Sequence, residues 1–298
     1  MARRLIFCLF GLLLLPAAAS AQSCTGAPVT VQVLGSGGPQ IKAERASASY
    51  LLWVDDKAKV LVDMGGGAFF RFGQAQAKFT DLAMMGVSHL HPDHISDLPA
   101  LLWGGRMTRK EPLPIVGPSG NDVAPAFPAF LARLFDAKSG AFQVLGSTVA
   151  DSPEFHLQVT TADVTKGEAA TVFEHDGLTV TAFGIPHANL PTLAYRVQTR
   201  GLSVVFSSDQ NGTNPRFVDF AKGANVLIMH MAIAAGATSP LHAAPAVVGR
   251  IAQDAGVGRL IVSHIGQFDL DAALADVKKA YTGPLTIGAD LQCTPVKM

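Results

Sequence analysis

The sequence predicts an α/β fold in which β-sheets are covered by helices. Three observations lead there. Short runs rich in β-branched and aromatic residues recur along the chain. Segments with apolar residues at three- and four-residue spacing, the mark of amphipathic helices, separate them. The early strands are joined by short turns and the later ones alternate with helices, which fits covered sheets better than an all-β barrel.

The chain opens on Met-Ala-Arg-Arg, continues through an almost wholly apolar run at 5–15, and reaches the small residues Ala19, Ser20 and Ala21. A basic start, an apolar middle and a small-residue end predict a signal peptide over 1–21, and hence a secreted or periplasmic protein. A membrane anchor needs about 20 apolar residues, and this run breaks at Pro16, so no stable membrane insertion is expected. The rest, 22–298, reads as one domain. Cys8 leaves with the peptide, so the mature chain keeps Cys24 and Cys293, one near each end. In an oxidising compartment they are expected to pair. The competing reading, lipid attachment at Cys24, lacks the usual leucine before the cysteine. Neither cysteine has a second cysteine or histidine at zinc-ligand spacing.

The strands are expected at 29–34, 49–54, 60–63, 82–88, 178–185, 193–198, 202–207, 226–230 and 260–263, and the helices at 92–103, 123–135, 242–255 and 271–281. Glycines punctuate the loops at Gly35-Ser36-Gly37-Gly38 and Gly65-Gly66-Gly67. The first group lacks the Lys-Ser/Thr and the glycine spacing of a phosphate-cradling loop, so it reads as a turn after the first strand. The stretch 137–171 has the weakest periodicity and is expected to be an insertion near the rim of the active site. With 49% hydrophobic residues and 23 basic against 23 acidic side chains, the chain is too apolar to be disordered and has no net pull toward polyanions.

The chemistry concentrates where the strand at 82–88 meets the next helix. There Ser-His89-Leu-His91-Pro-Asp93-His94-Ile-Ser-Asp97 places three histidines and an aspartate within six positions. Neutral imidazoles of His89 and His91 can converge on one divalent cation, while Asp93 and His94 turn toward a second. So many polar groups between Val87 and Ile95 would be costly to bury without a partner. Isolated histidines such as His156 and His175 read as ordinary surface or packed residues.

This H-x-H-x-D-H string on a strand-to-helix loop resembles the metallo-β-lactamase superfamily. The resemblance extends to His187 in Gly-Ile-Pro-His, to Asp209 after the strand 202–207 and to His264 after Leu-Ile-Val-Ser. It implies a four-layer αββα sandwich, with His89, His91 and His187 on one metal, Asp93, His94 and His264 on the other, and Asp209 bridging both. The cofactors it implies are two divalent ions, Zn2+ first with Mn2+ or Fe as alternatives. They would hold a hydroxide that attacks an ester. Asp63, at the end of its strand, matches an aspartate that orients the loop from behind the ligands; read alone, it is a turn residue before Gly65.

Within the superfamily the chain is more similar to the ribonuclease Z and arylsulfatase group. Asp97-Leu98-Pro99, Gly117-Pro118-Ser-Gly120, the Tyr195-Arg196 pair, and His242 lying 22 residues before His264 carry that likeness. It makes Asp93 and His242 the catalytic candidates, His242 as an imidazolium facing a developing oxyanion or protonating a leaving group. Read alone, His242 is a solvated residue at a helix start. The chain departs from the group at Met231, where a glutamate usually follows the histidine at the place of His230, and at Ser208-Asp209-Gln210. It shows no long basic arm. The expected substrate is therefore a small phosphodiester or sulfate ester, favoured by His242 and Arg196, rather than transfer RNA, and a homodimer is expected from the group's habit. Lactone or β-lactam opening is the alternative hydrolysis, and an iron-dependent oxygenase the alternative chemistry. A binding protein with a degenerate site would lack ligands, whereas all seven positions are filled.

Overall fold

A computed structural model describes residues 24–150, 153, 155–165 and 167–298, so the signal-peptide segment 1–21 lies outside the described residues. Two seven-stranded sheets face each other. The first has the order β14-β1-β2-β3-β4-β5-β6, formed by β1 (Val29–Gly35), β2 (Ser49–Val54), β3 (Lys57–Val62), β4 (Met84–Gly86), β5 (Leu113–Pro118), β6 (Leu157–Ala162) and the last strand, β14 (Cys293–Pro295). The second has the order β13-β12-β11-β10-β9-β8-β7. It comprises β7 (Ala170–His175), β8 (Leu178–Ile185), β9 (Thr192–Thr199), β10 (Leu202–Phe206), β11 (Val226–His230), β12 (Leu260–Ser263) and β13 (Leu285–Ile287).

Alternation along each strand sorts the side chains into layers. In β2, Tyr50, Leu52 and Val54 join the cluster between the sheets with Tyr195, Val204, Phe206 and Ile228. Their neighbours Leu51 and Trp53 face outward, into a cluster with helices α1 (Ala68–Gln74), α3 (Leu98–Gly105) and α4 (Phe127–Phe135). On the far side, Val205, Leu227 and Val262 pack against α5 (Arg216–Ala221), α6 (Pro245–Asp254) and α7 (Leu270–Ala280). The result is the αββα sandwich. Strands β1, β2, β10, β11 and β12 are buried at every residue, and all but β1, which buries Thr30 and Gln32, read as near-continuous apolar runs. No helix among the described residues is long and apolar enough to cross a membrane.

Prolines and tertiary hydrogen bonds move the helix limits. The helix expected at 92–103 is two pieces, α2 (Pro92–Ile95) and α3. The His94 carbonyl is taken by Met64 N–H, and Pro99 has no N–H to offer the Ile95 carbonyl. The helices expected from 123 and 242 begin at Phe127 and Pro245, because prolines at their first turns fix the start. The stretch 137–171 is a correction: it is not an inserted loop. A 3-10 segment at Gln143–Thr148 buries Leu145 in the outer layer, and β6 pairs in parallel with β5 along its whole length. Its polar Gln-Val-Thr-Thr interior, typical of an edge strand, hid it. Cys24 and Cys293 are disulfide-bonded, with Cα atoms 5.6 Å apart and a sequence separation of 269.

Candidate metal centre

Each predicted ligand sits just beyond the end of a strand. His89 follows β4, His187 follows β8, Asp209 follows β10 and His264 follows β12. His91, Asp93 and His94 lie at the start of α2. Two of these strand ends turn through left-handed backbone at non-glycine residues, Ser208 (φ 52°) and His264 itself (φ 54°), as does Asp63 (φ 57°) after β3. Such conformations cost about 1–2 kcal/mol each, and here they redirect the chain as it leaves a strand.

Hydrogen bonds behind the site decide which ring nitrogens face inward. Buried Asp63 accepts from Ser88 N (2.7 Å) and Ser88 Oγ (2.8 Å) and lies 2.7 Å from His94 Nδ1. A carboxylate only accepts, so His94 Nδ1 carries the proton and Nε2 points into the site. Ser88 Oγ, its own proton given to Asp63, lies 3.0 Å from His89 Nδ1 and fixes the same tautomer there. His187 Nδ1 donates to the Leu241 carbonyl at 2.8 Å. Asp63 thus contacts His94 directly and reaches His89 through Ser88, from behind both rings.

The inward atoms form two sets. In one, His91 Nδ1 lies 3.1 Å from His89 Nε2 and 3.3 Å from His187 Nε2. Asp209 Oδ2 stands 3.8 and 3.7 Å from those same two Nε2 atoms. In the other, His264 Nε2 lies 3.1 Å from Asp93 Oδ2 and 3.4 Å from Asp209 Oδ1, and His94 Nε2 lies 3.6 Å from Asp93 Oδ2 and 3.4 Å from Asp209 Oδ2. Asp209 belongs to both. Proximity alone groups His230, and not Asp93, with His94, Asp209 and His264. Both its ring nitrogens are engaged elsewhere, however, at 2.7 Å with Asp209 Oδ1 and 2.9 Å with the Tyr50 hydroxyl, whereas Asp93 has an oxygen to give.

These donors fit divalent cations. His94 Nε2 is buried between two carboxylates and has no hydrogen-bond partner among the described residues, which suits a lone pair offered to a metal. Burial lowers the imidazoles of His89, His91 and His187, keeping them neutral as ligands must be. Burial also pulls His94 down, but Asp209 and Asp63 on either side outweigh it and raise it well above its usual range. Positive charge is favoured at that point, and a cation held there by Asp93 and Asp209 would supply it. For Asp209, burial alone would raise the carboxyl; the rings of His264 and His94 and the His230 hydrogen bond hold it well below the usual range.

A β-lactamase superfamily domain model matches residues 59–265, the span from β3 to just past the last predicted ligand. The chain belongs to the metallo-β-lactamase superfamily. Its ribonuclease Z branch is marked by a ribonuclease Z of Mycobacterium sp. (strain KMS), 32% identical over 256 residues, covering 79% of this chain and 84% of that one. Among solved structures, the metallo-β-lactamase fold protein YhfI from Bacillus subtilis is similar with a TM-score of 0.71 at 23% identity, covering 90% of this chain and 99% of that one. The short form of human tRNase Z gives 0.70 at 20%, covering 90% and 100%. Both share the fold. The chain is a hydrolase of this superfamily with a divalent-metal site.

Against that superfamily frame, two expectations need correction. Arg196 is not beside the donor sets. Its neighbour Tyr195 points between the sheets, so alternation sends Arg196 to the opposite face, where it donates to the carbonyls of Phe220 (2.9 Å) and Lys222 (3.1 Å) at the end of α5. His242 does reach the centre, with Nδ1 3.8 Å from Asp209 Oδ1. It lies three residues before α6 and is not a helix cap. Burial lowers it to about 4, so it stands as a neutral imidazole and not as the expected imidazolium.

Sequence reading missed three contributors. His230 and Tyr50 support Asp209 from behind. Gly38 is the third: a Cβ there would stand 2.5 Å from His264 Cε1, so the glycine-rich turn after β1 packs on a ligand ring. Asp97, noted only as part of a family string, accepts from Gly67 N and Phe69 N, both at 2.9 Å, and ties α1 to the metal loop.

Proposed function

We propose that the protein is an exported phosphodiesterase that holds two divalent ions, Zn2+ foremost, and cleaves a small phosphodiester. The observation that carries this reading is the sharing of one carboxylate, Asp209, by two complete donor sets. A pair of divalent ions supplies Lewis acidity and a nucleophile drawn from water at neutral pH, without a serine or cysteine.

The chain's own residues do the rest. Asp63, Ser88 and the Leu241 carbonyl fix His89, His94 and His187 with Nε2 inward, so the donors are set before a ligand arrives. Asp209, ionised through its histidine neighbours, balances charge for both sets. His242, with 14% of its side chain exposed, is the imidazole at the open side of the centre. A neutral ring there offers one N–H to an oxygen of the substrate or leaving group. With Arg196 removed from the site, the nearby cation is Lys42. Its ammonium donates to the carbonyls of Ile265 (3.0 Å) and Gly266 (2.8 Å), directly after His264, which favours an anionic substrate. Export is supported by the Cys24–Cys293 disulfide, since such bonds persist in oxidising compartments.

The ribonuclease Z relatives favour a second reading, cleavage of RNA. The balanced net charge argues for the small substrate instead, because binding to RNA draws mainly on an excess of basic side chains. The deciding experiment assays the purified mature protein, after metal analysis, on nitrophenyl phosphodiester, phosphate monoester, sulfate and lactone substrates and on a precursor transfer RNA. The diester is expected to turn over, and Asp209→Ala and chelation to abolish that turnover. Faster cleavage of the RNA would replace this reading with the second, and an Asp209→Ala variant as active as the parent would remove the metal centre from the chemistry.

A further inference from the structure

Beside Asp209 runs a buried chain of hydrogen bonds whose residues Tyr50, His230 and Ser263 are none of the seven predicted ligands. His230 ends β11 and holds Asp209 Oδ1 through Nδ1 at 2.7 Å. Its Nε2 lies 2.9 Å from the hydroxyl of Tyr50, which is also 3.0 Å from Ser263 Oγ, next to His264 in sequence. Tyr50 is 1% exposed, His230 4% and Ser263 not at all. Because the carboxylate only accepts, Nδ1 of His230 carries the proton, and Nε2 of the neutral ring accepts from the Tyr50 hydroxyl. Tyr50 belongs to β2, in the opposite sheet from His230, Asp209 and Ser263.

We propose that Tyr50 and His230 form a positioning relay that holds the Asp209 carboxylate in the one orientation both donor sets share. The proposal rests on the two-metal reading above. The final torsion of an aspartate is soft, so the carboxylate plane needs an external hold. Oδ2 faces His89, His94 and His187 at 3.8, 3.4 and 3.7 Å, while Oδ1 is held by His230 at 2.7 Å and lies 3.4 Å from His264 Nε2. A twist of that plane spoils both donor sets together, which no change at a ligand of one set alone does. Tyr50 engages Nε2 of the His230 ring, which already lies within ligand distance of His94, Asp209 and His264.

The test is a zinc titration of chelator-stripped protein in competition with a chromophoric chelator, read as ions per chain and affinity for each. It compares the parent with Tyr50→Phe, His230→Ala and His230→Asn. Asparagine places an N–H near the Nδ1 position and keeps the donor to Asp209 without the tyrosine. Two ions per chain are expected throughout. His230→Ala should weaken both by about 10–100-fold, the usual scale for removing support behind a metal ligand. Tyr50→Phe should weaken both by less, and His230→Asn should recover most of the loss. Parental affinity in both Tyr50→Phe and His230→Ala would overturn the relay. Loss of one whole ion in His230→Ala, with Tyr50→Phe unchanged, would overturn it by making His230 a ligand. A parent that binds fewer than two ions would instead overturn the two-metal reading, so the two failures are told apart.

Discussion

Replacing Asp63 with asparagine keeps the shape of the side chain and removes what it does. In the parent its two oxygens take three donors: Ser88 N, Ser88 Oγ and His94 Nδ1, all within 2.7–2.8 Å. An amide has one oxygen and an NH2 group, so in Asp63→Asn at least one of these donors meets another donor. Two outcomes relieve the conflict. His94 can shift its proton to Nε2, which closes the lone pair it offers to the second set, or Ser88 can turn away and release His89 Nδ1. Hydrogen bonds to a buried charged group contribute about 1.5–3 kcal/mol each, and a buried donor left unpaired costs a similar amount.

The expected loss for Asp63→Asn is therefore about 3–5 kcal/mol in folding stability, the range for breaking a buried charged pair, and about 10–100-fold in metal affinity. The second set should suffer most, because His94 bonds Asp63 directly whereas His89 reaches it through Ser88. Metal content and competition titration measure the affinity, and urea unfolding of the chelated protein measures the stability. If Asp63→Asn holds both ions with parental affinity, the tautomer reasoning is wrong, whatever happens to stability.

Three further outcomes are expected. Gly38→Ala would press a methyl group to 2.5 Å from His264 Cε1, so the ring must move and the second ion should bind more weakly while the first is kept; unchanged binding of both refutes the contact. Cys24→Ser opens a loop of 269 residues and should cost about 5–6 kcal/mol by loop-closure entropy, read as a lower urea midpoint that reductant reproduces in the parent and does not lower further in the variant. Burial lowers His230 from 6.5 to about 4, so its contribution to stability is complete above pH 6.5 and is lost as pH falls toward 4, about 3 kcal/mol in all. His94, shifted upward, changes its contribution only above pH 6.5, so chelated protein that shows no loss of stability between pH 6.5 and 4 would contradict the burial of His230.

The parts of the site that were legible share one property: their chemistry is written in adjacent residues. Three histidines and an aspartate within six positions announce a metal loop whatever surrounds them. His187, Asp209 and His264 are scattered singly and became readable only through their likeness to a family. Strands buried on both faces, such as β2, β11 and β12, were legible for the same local reason. Edge strands were not, because β6 and β7 expose polar residues and carry little period. Tertiary partners were the hardest to see. Nothing near Tyr50 in sequence says that its hydroxyl reaches His230 across the sheet interface, 180 positions later. Arg196 misled in the opposite sense: an arginine one residue from a family tyrosine looks like part of the site, yet one residue is the distance that sends a strand side chain to the other face.

How the ligands are shared between the sheets ties the chemistry to the fold. His89, His91, Asp93 and His94 extend from the first sheet and His187, Asp209 and His264 from the second. Neither sheet holds a complete donor set, so the centre exists only when the two inner faces are packed at their native spacing. That spacing is set by side chains such as Tyr195, which is fully buried and donates to the Val87 carbonyl at 2.8 Å, two residues before His89. Tyr50 makes the reciprocal link, from the first sheet to the residues behind Asp209. Each sheet thus sends one tyrosine across the interface to a residue beside the other's ligands. Dense packing between the sheets leaves little room for a relative shift, and a shift of even half an ångström would change the donor distances on which both sets depend.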